Sequence, residues 1–196
     1  GFFALSAFNR VPAMLNFTAG SRNLKAALKA GQIKRIVTAH RFVELCGLEP
    51  LIEDLSDAAE IVYLEDVREN LSLKDKVVAA AGSILPGLVR KQSRYKSPGV
   101  MLFTSGTEGE PKGVVLSHEN VMANVEQVRA HIGLSPETDK LFNPLPTFHC
   151  FGLTMGAVLP LVAGIPVVFH PSPLQPREIV RRIRASQSTI LLATDT

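Results

Sequence analysis

Apolar positions along this chain recur at two spacings, and the spacing switches repeatedly between helical and strand-like. From Ser21 to Ala30, Leu24, Ala27 and Leu28 share one helical face, with Ser21 placed to cap the start and Gly31 to stop the helix. Ile33–Ala39 then reads as a strand, His40–Leu48 as a short helix, Ile61–Leu64 as a strand and Leu73–Leu85 as a helix. Lys91–Pro98 is polar and reads as a linker, near which the chain could subdivide. Val100–Phe103 is a short apolar strand, and Gly113–Leu116 a second strand-like run. Ser117 then caps a helix to about His131, with Val121, Val125 and Val128 inward. Leu141–Leu145 predicts a strand, Phe151–Ala163 a helix, and Ile165–His170 a strand. Pro176–Ser186 is amphipathic, with Ile179, Val180 and Ile183 inward and Arg177, Arg181 and Arg184 outward. Thr189–Ala193 predicts the last strand. Strands that alternate with helices predict an α/β fold with a largely parallel sheet.

The uncharged run Phe151–Phe169 is long enough to span a bilayer, but Pro160 and Gly164-Ile165-Pro166 interrupt it, so a buried helix followed by a strand is expected. Gly1–Phe8 has no initiator Met and no charged lead. It reads as the middle of a buried helix rather than a signal peptide, and both ends of the sequence read as cut from a longer protein.

Composition changes this picture little. Of 196 residues 46% are hydrophobic, enough for a substantial core, and the net charge of +3 is too small to argue for nucleic acid. The nearest basic cluster is Arg90, Lys91, Arg94 and Lys96, read either as a solvated face or as a docking surface for an acidic partner or anionic lipid. Cys46 and Cys150 lie far apart, without disulfide or zinc spacing, and are expected to be buried, reduced thiols. No metal-ligand cluster is expected.

The segment that carries chemistry is Thr104-Ser105-Gly106-Thr107-Glu108-Gly109-Glu110-Pro111-Lys112-Gly113, directly after a strand. Its glycines let backbone N–H groups turn into one concavity, its hydroxyls add neutral donors, and Lys112 adds a mobile positive charge; together these suit phosphate oxygens. It is not a Walker A loop, because Pro111 precedes Lys112 and a strand, not a helix, follows. The plain alternative is a Gly/Ser-rich surface turn.

Phe103–Val114 resembles the phosphate-binding signature F-T-S-G-T-T-G-x-P-K-G-V of the adenylate-forming superfamily, with Glu108 where a second Thr is usual. Leu145-Pro146-Thr147-Phe148-His149-Cys150-Phe151-Gly152 resembles that family's L-P-x-F-H-x-x-G segment. The resemblance implies the fold of a partial N-terminal adenylation domain over residues 1–196. It implies ATP and Mg2+ as cofactors, with phosphates held by Thr104, Ser105, Gly106, Thr107, Gly109, Lys112 and Gly113. By the same carry-over, Lys112 and His149 are catalytic, His149 orienting a fatty-acid carboxylate. On its residues alone, His149 reads as an ordinary, partly buried histidine, the commoner fate of a lone histidine; the glycine-rich segment upstream favours the site reading.

The flanks Pro12–Gly20, Asn124–Gln127, Phe151–Thr154 and Pro171–Leu174 look like the synthetase half of a bifunctional acyl-[acyl-carrier-protein] synthetase/2-acylglycerophosphoethanolamine acyltransferase. That branch implies a fatty acid substrate and acyl carrier protein as acceptor. It also implies a lysophospholipid served by a separate acyltransferase domain, and a full-length protein at the cytoplasmic side of the inner membrane. None of the five histidines begins the acyltransferase signature H-x-x-x-x-D. No Tyr-Gly-x-Thr-Glu segment, where the family binds magnesium, occurs either, so these residues alone are expected to be soluble and inactive. Two other readings stay open: a fatty acyl-CoA synthetase with CoA as acceptor, and a non-catalytic nucleotide- or acyl-binding domain.

Overall fold

The computed structural model describes residues 1–89, 94–105 and 110–194. The chain divides into two compact units, Gly1–Val115 and Leu116–Thr196.

In the first unit, α1 (Phe2–Ala7) is followed by β1 (Ala13–Met14), α2 (Ser21–Ala30), β2 (Arg35–Thr38), α3 (His40–Cys46), α4 (Glu49–Leu55) and β3 (Glu60–Tyr63). Next come α5 (Leu64–Glu69), α6 (Leu73–Ile84), α7 (Pro86–Val89), β4 (Pro98–Ser105) and β5 (Pro111–Ser117), the last running across the boundary. β2 and β3 pair in parallel, Arg35 opposite Glu60 through Thr38 opposite Tyr63. β1 pairs in parallel with β4, whose other neighbour is β5. Leu24 and Leu28 of α2 pack with Leu55 and Ala59, and Ile36 and Ile61 of the small sheet close over them. Fully burying such a side chain contributes roughly 1.5–3 kcal/mol, so this apolar cluster holds the first half of the unit together.

The inward face of α2 is the predicted one, but Ser21 is its first helical residue and Gly20, at φ 81°, stands before it. The chain reverses after α2 at Gln32, at φ 50°, where Ile33 N–H donates to the Leu28 carbonyl at 2.9 Å. Gly31 keeps an ordinary φ of −86°; a Cβ there would lie 3.1 Å from both Ile33 and Met101, so the glycine makes room rather than a turn. Three other expectations change. α1 forms but buries no residue, and Phe3 is half exposed. Cys46 and Cys150 are both exposed, because each sits at a helix end on the outward side. The polar stretch Lys91–Pro98 partly lies outside the described residues; Pro98 already opens β4.

The second unit begins with α8 (His118–His131), then β6 (Leu141–Asn143), α9 (Cys150–Leu153), a π turn (Thr154–Val158), α10 (Leu159–Ala163), β7 (Val167–Phe169), α11 (Pro176–Ser186) and β8 (Ile190–Leu191). Ser117 caps α8 as expected: its Oγ accepts from Asn120 N–H at 3.1 Å while Asn120 Oδ1 accepts from Ser117 N–H at 3.0 Å. Val125 of α8 packs on Met155, Val158 and Leu159, with Val121 and Val128 beside it. β6 is wholly buried and pairs in parallel with β7 on one side and β8 on the other. On α11, Ile179 is buried but Val180 is 50% exposed, not inward; Val180 lies a further 100° around the helix, past the edge of the apolar stripe.

Each register described is thus parallel, as the alternation predicts, but the strands fall into three small sheets rather than one. No helix among the described residues is long and apolar enough to cross a membrane.

Candidate functional site

In the first unit the described residues of the glycine-rich segment lie at the end of β4 and the start of β5. Val100 and Leu102 are buried on one face of β4, and Thr104, the next residue on that face, is exposed near the strand's carboxyl end, where the cover stops. β5 lies beside β4 and starts at Pro111 and Lys112. Lys112 is exposed and makes no ion pair with any described residue. Gly113 faces β4: a Cβ there would lie 3.3 Å from Met101 Sδ and 3.4 Å from Phe103 Cε1. The structure therefore brings Thr104, Lys112 and Gly113 onto adjacent strands. Ser105 ends β4, while Gly106, Thr107, Glu108 and Gly109 lie outside the described residues. A lysine and a threonine on adjacent strands supply a cation and a hydroxyl donor, a donor set that fits phosphate oxygens. Magnesium needs carboxylate oxygens, and among the described residues no three His, Cys, Asp or Glu side chains converge.

The second unit builds its site around Asn143, the last residue of β6 and 0% exposed. Its Oδ1 accepts from Leu145 N–H at 2.9 Å, and its Nδ2 donates to the Gly152 carbonyl at 3.4 Å. Its own carbonyl accepts from His170 N–H at 2.9 Å. One buried amide thus ties the segment after β6 to the helix that follows.

That helix lies directly on the segment because two glycines face it. A Cβ on Gly152 would meet the Pro146 carbonyl oxygen, and one on Gly156 would meet the Asn143 amide. Between them the helix opens into its single π turn, Thr154–Val158, a local widening that recurs at functional sites. His149 is the residue before this helix. Its N–H donates to the Pro146 carbonyl at 3.2 Å and its carbonyl accepts from Leu153 N–H at 2.9 Å. Its ring is exposed and leans on Phe148, with centroids 4.7 Å apart. It is therefore not the partly buried histidine of the plain reading. The backbone of His149 is held on both sides while its imidazole stays available.

Sheet topology gives this segment a second reason to bind something. β6 lies between β7 and β8, so the crossover from β6 leaves to one side and the next returns to the other. In such parallel sheets ligands sit beyond the carboxyl ends of the strands where the direction of winding reverses. Pro144–His149 leaves the carboxyl end of β6 there, and Leu192 leaves that of β8, its N–H donating to the Phe142 carbonyl at 3.1 Å. His170, at the carboxyl end of β7, is 5% exposed beside Phe142, and neither ring nitrogen has a hydrogen-bond partner among the described residues.

Sequence reasoning missed Asn143, Gly156 and the π turn. The available signals were an asparagine ending an otherwise apolar strand, and two glycines four residues apart in an uncharged run.

Known proteins resemble this chain along its whole length. The sequence model of one family, AMP-binding enzyme, matches residues 1–196. An acyl-CoA ligase, SID4, from Ajellomyces capsulatus is 28% identical over 211 residues, covering 97% of this chain and 34% of that protein. A long-chain-fatty-acid–AMP ligase, FadD28, from Mycobacterium tuberculosis is 36% identical over 87 residues, covering 42% of this chain and 15% of that protein. Among solved structures, o-succinylbenzoate coenzyme A synthetase from Bacillus subtilis, in complex with ATP and magnesium ion, matches with a TM-score of 0.77 at 16% identity. That match covers 98% of this chain and 36% of the other. A structure from a study of fatty acyl-adenylate ligases from E. coli and L. pneumophila matches with a TM-score of 0.73 at 19% identity, covering 98% and 32%. At such identities the structural likeness establishes a shared α/β fold. The chain spans about a third, or less, of the length of the curated relatives it matches.

Proposed function

The chain belongs to the AMP-binding enzyme family, and from that premise we propose that it forms part of an ATP-dependent ligase that activates a fatty acid as its acyl-adenylate and passes the acyl group to the thiol of CoA. The observation that carries this reading is the placement of Thr104 and Lys112 on neighbouring strands, on either side of the glycine-rich segment.

ATP is a substrate in this reading. A carboxylate oxygen of the fatty acid attacks the α-phosphorus, the bond to the bridging oxygen breaks, and pyrophosphate leaves with the negative charge. The task of the protein is to position the two reactants and offset that charge. Thr104, Ser105 and Thr107 supply hydroxyl donors for the β- and γ-phosphates, Gly106 and Gly109 supply backbone N–H donors, and Lys112 supplies a full positive charge. Gly113 lets β5 approach β4 closely behind the lysine. His149, its backbone held at the carboxyl end of β6 and its imidazole exposed, orients the carboxylate. Magnesium would neutralise phosphate charge. The isolated 196 residues are expected to catalyse no ATP–pyrophosphate exchange; measurable exchange would overturn that.

CoA is preferred as acceptor because relatives named as acyl-CoA ligases span the chain most fully. A second reading, acyl carrier protein as acceptor with a lysophospholipid re-acylated by a separate domain at the inner membrane, is favoured by the flanks Pro12–Gly20 and Pro171–Leu174 and by Glu108 in the loop. The deciding experiment gives the full-length protein ATP, magnesium, palmitate and equal amounts of CoA and holo-carrier protein, with products weighed by mass spectrometry. Acyl-CoA as main product supports the proposal, and acyl-carrier protein moves the assignment to the second reading. Neither product leaves a binding domain without chemistry.

A further inference from the structure

We propose that α6 is a membrane-surface element that lays its apolar stripe on an anionic bilayer. Unlike α2 and α8, α6 buries no residue at all. Leu73 is 79% exposed, Val77 60% and Ile84 78%. Such side chains at a helical spacing normally face a core.

At 100° per residue, Leu73, Val77, Ala80, Ala81 and Ile84 fall within one quadrant or so of the helix. Lys74 and Lys76 stand on opposite margins of that stripe, and Asp75 is on the far side. The helix does not depend on packing to start. Ser72 and Asp75 form a capping box, Asp75 N–H donating to Ser72 Oγ at 3.2 Å and Ser72 N–H donating to the Asp75 carboxylate at 3.0 Å.

Charge selects the occupant. Residues 73–97 contain six basic side chains and one acidic one. Arg94 and Lys96 are exposed, with Tyr95, an amphipathic side chain of the kind enriched at membrane interfaces, 55% exposed between them. A second copy of this chain would set like charges against each other. An acidic protein surface without an apolar strip would leave Leu73 and Ile84 in water. An anionic lipid surface satisfies both features: the stripe enters the headgroup–acyl boundary while the marginal lysines reach back to the phosphates. At twelve residues the helix is too short to span, so it lies on the surface. This inference rests on α6 and the basic residues that follow it, and is independent of the reaction and of its acceptor.

The experiment is co-sedimentation of the full-length protein with phosphatidylcholine vesicles, with and without an equal part of phosphatidylglycerol. Binding is expected on the anionic vesicles only, and to weaken as salt is raised. Leu73→Glu with Ile84→Glu should lower the partition coefficient at least tenfold. Lys74→Gln or Lys76→Gln should each lower it by about five-fold at low salt. All four side chains are exposed, so the variants should keep the wild-type melting temperature. Equal binding to neutral vesicles, no binding at low salt, or undiminished binding by the Leu73/Ile84 variant would overturn the proposal.

Discussion

Replacing Gly152 by alanine tests the close contact on which the second unit's site is built. The new Cβ would stand 2.2 Å from the Pro146 carbonyl oxygen and 3.1 Å from that of Leu145. Close carbon–oxygen contacts in proteins lie at about 3.3 Å, so helix and segment must part by roughly 1 Å. Neither side is a flexible side-chain tip. The obstacle is backbone, held by Asn143 Oδ1 on Leu145 N–H and by His149 N–H on the Pro146 carbonyl. Overpacking of this kind costs about 1–3 kcal/mol, and each buried hydrogen bond broken adds about 1 kcal/mol. The better helix propensity of alanine returns up to about 1 kcal/mol. A net loss of roughly 1–3 kcal/mol is expected, worth about 2–4 °C of melting temperature per kcal/mol in a chain of this size or larger. Because the shift carries the backbone of His149 with it, ATP–pyrophosphate exchange by the full-length protein should fall by up to about 100-fold. Gly133→Ala is the control, since its Cβ would meet nothing within 4 Å. A Gly152→Ala protein that melts within a degree of wild type and exchanges pyrophosphate normally would refute the described contact.

Three further substitutions probe other links. Lys112→Ala in the full-length protein removes a charge-assisted contact worth about 1.5–3 kcal/mol and should slow adenylation by roughly one to two orders of magnitude. An unchanged single-turnover rate would remove Lys112 from the mechanism. Hydrogen bonds from Arg181 and then Arg182 hold the Glu178 carboxyl at a pKa of about 2, below its ordinary 4.5. A depressed folded-state pKa adds stability above pH 4.5 that is lost as pH falls from there toward 2, so Glu178→Gln should flatten the melting-temperature profile across that window. The pair is exposed enough that high salt should shrink the difference, and parallel profiles at low salt would contradict the assignment. Ser117→Ala breaks the capping box of α8 and should cost about 1 kcal/mol in thermal unfolding. No change in melting temperature would mean that the cap is not formed in solution.

The elements most legible in the sequence were those whose causes are local. The spacing of Leu24, Ala27 and Leu28 marked the buried face of α2. Ser117 marked the start of α8, and Gly164 the end of the helix before β7, where the structure gives it a φ of 71°. Short helices such as α4 and α5 escaped notice because seven or fewer residues barely complete two turns, too little for a period to stand out. The family signature from Phe103 to Val114 was legible for a different reason: its glycines, hydroxyls and lysine lie consecutively, so composition and order alone carry the signal.

Other features depend on which residues meet across the fold, and no local pattern contains that information. Cys46 and Cys150 have the composition of buried residues yet are exposed, since burial depends on what covers a helix end. Val180 looked apolar enough to face inward, but the width of the contact under α11 admits only Ile179 fully. Asn143 became the centre of a site because a strand end, a glycine-lined helix and β7 converge on one buried amide. By itself, the sequence determined the alternation of elements, the Ser117 cap of α8 and the family signature around Lys112, because these arise within a few consecutive residues. Tertiary structure alone decided the division into three sheets, the exposure of the thiols and of α6, and the pinning of His149, because each depends on packing between segments far apart in the chain.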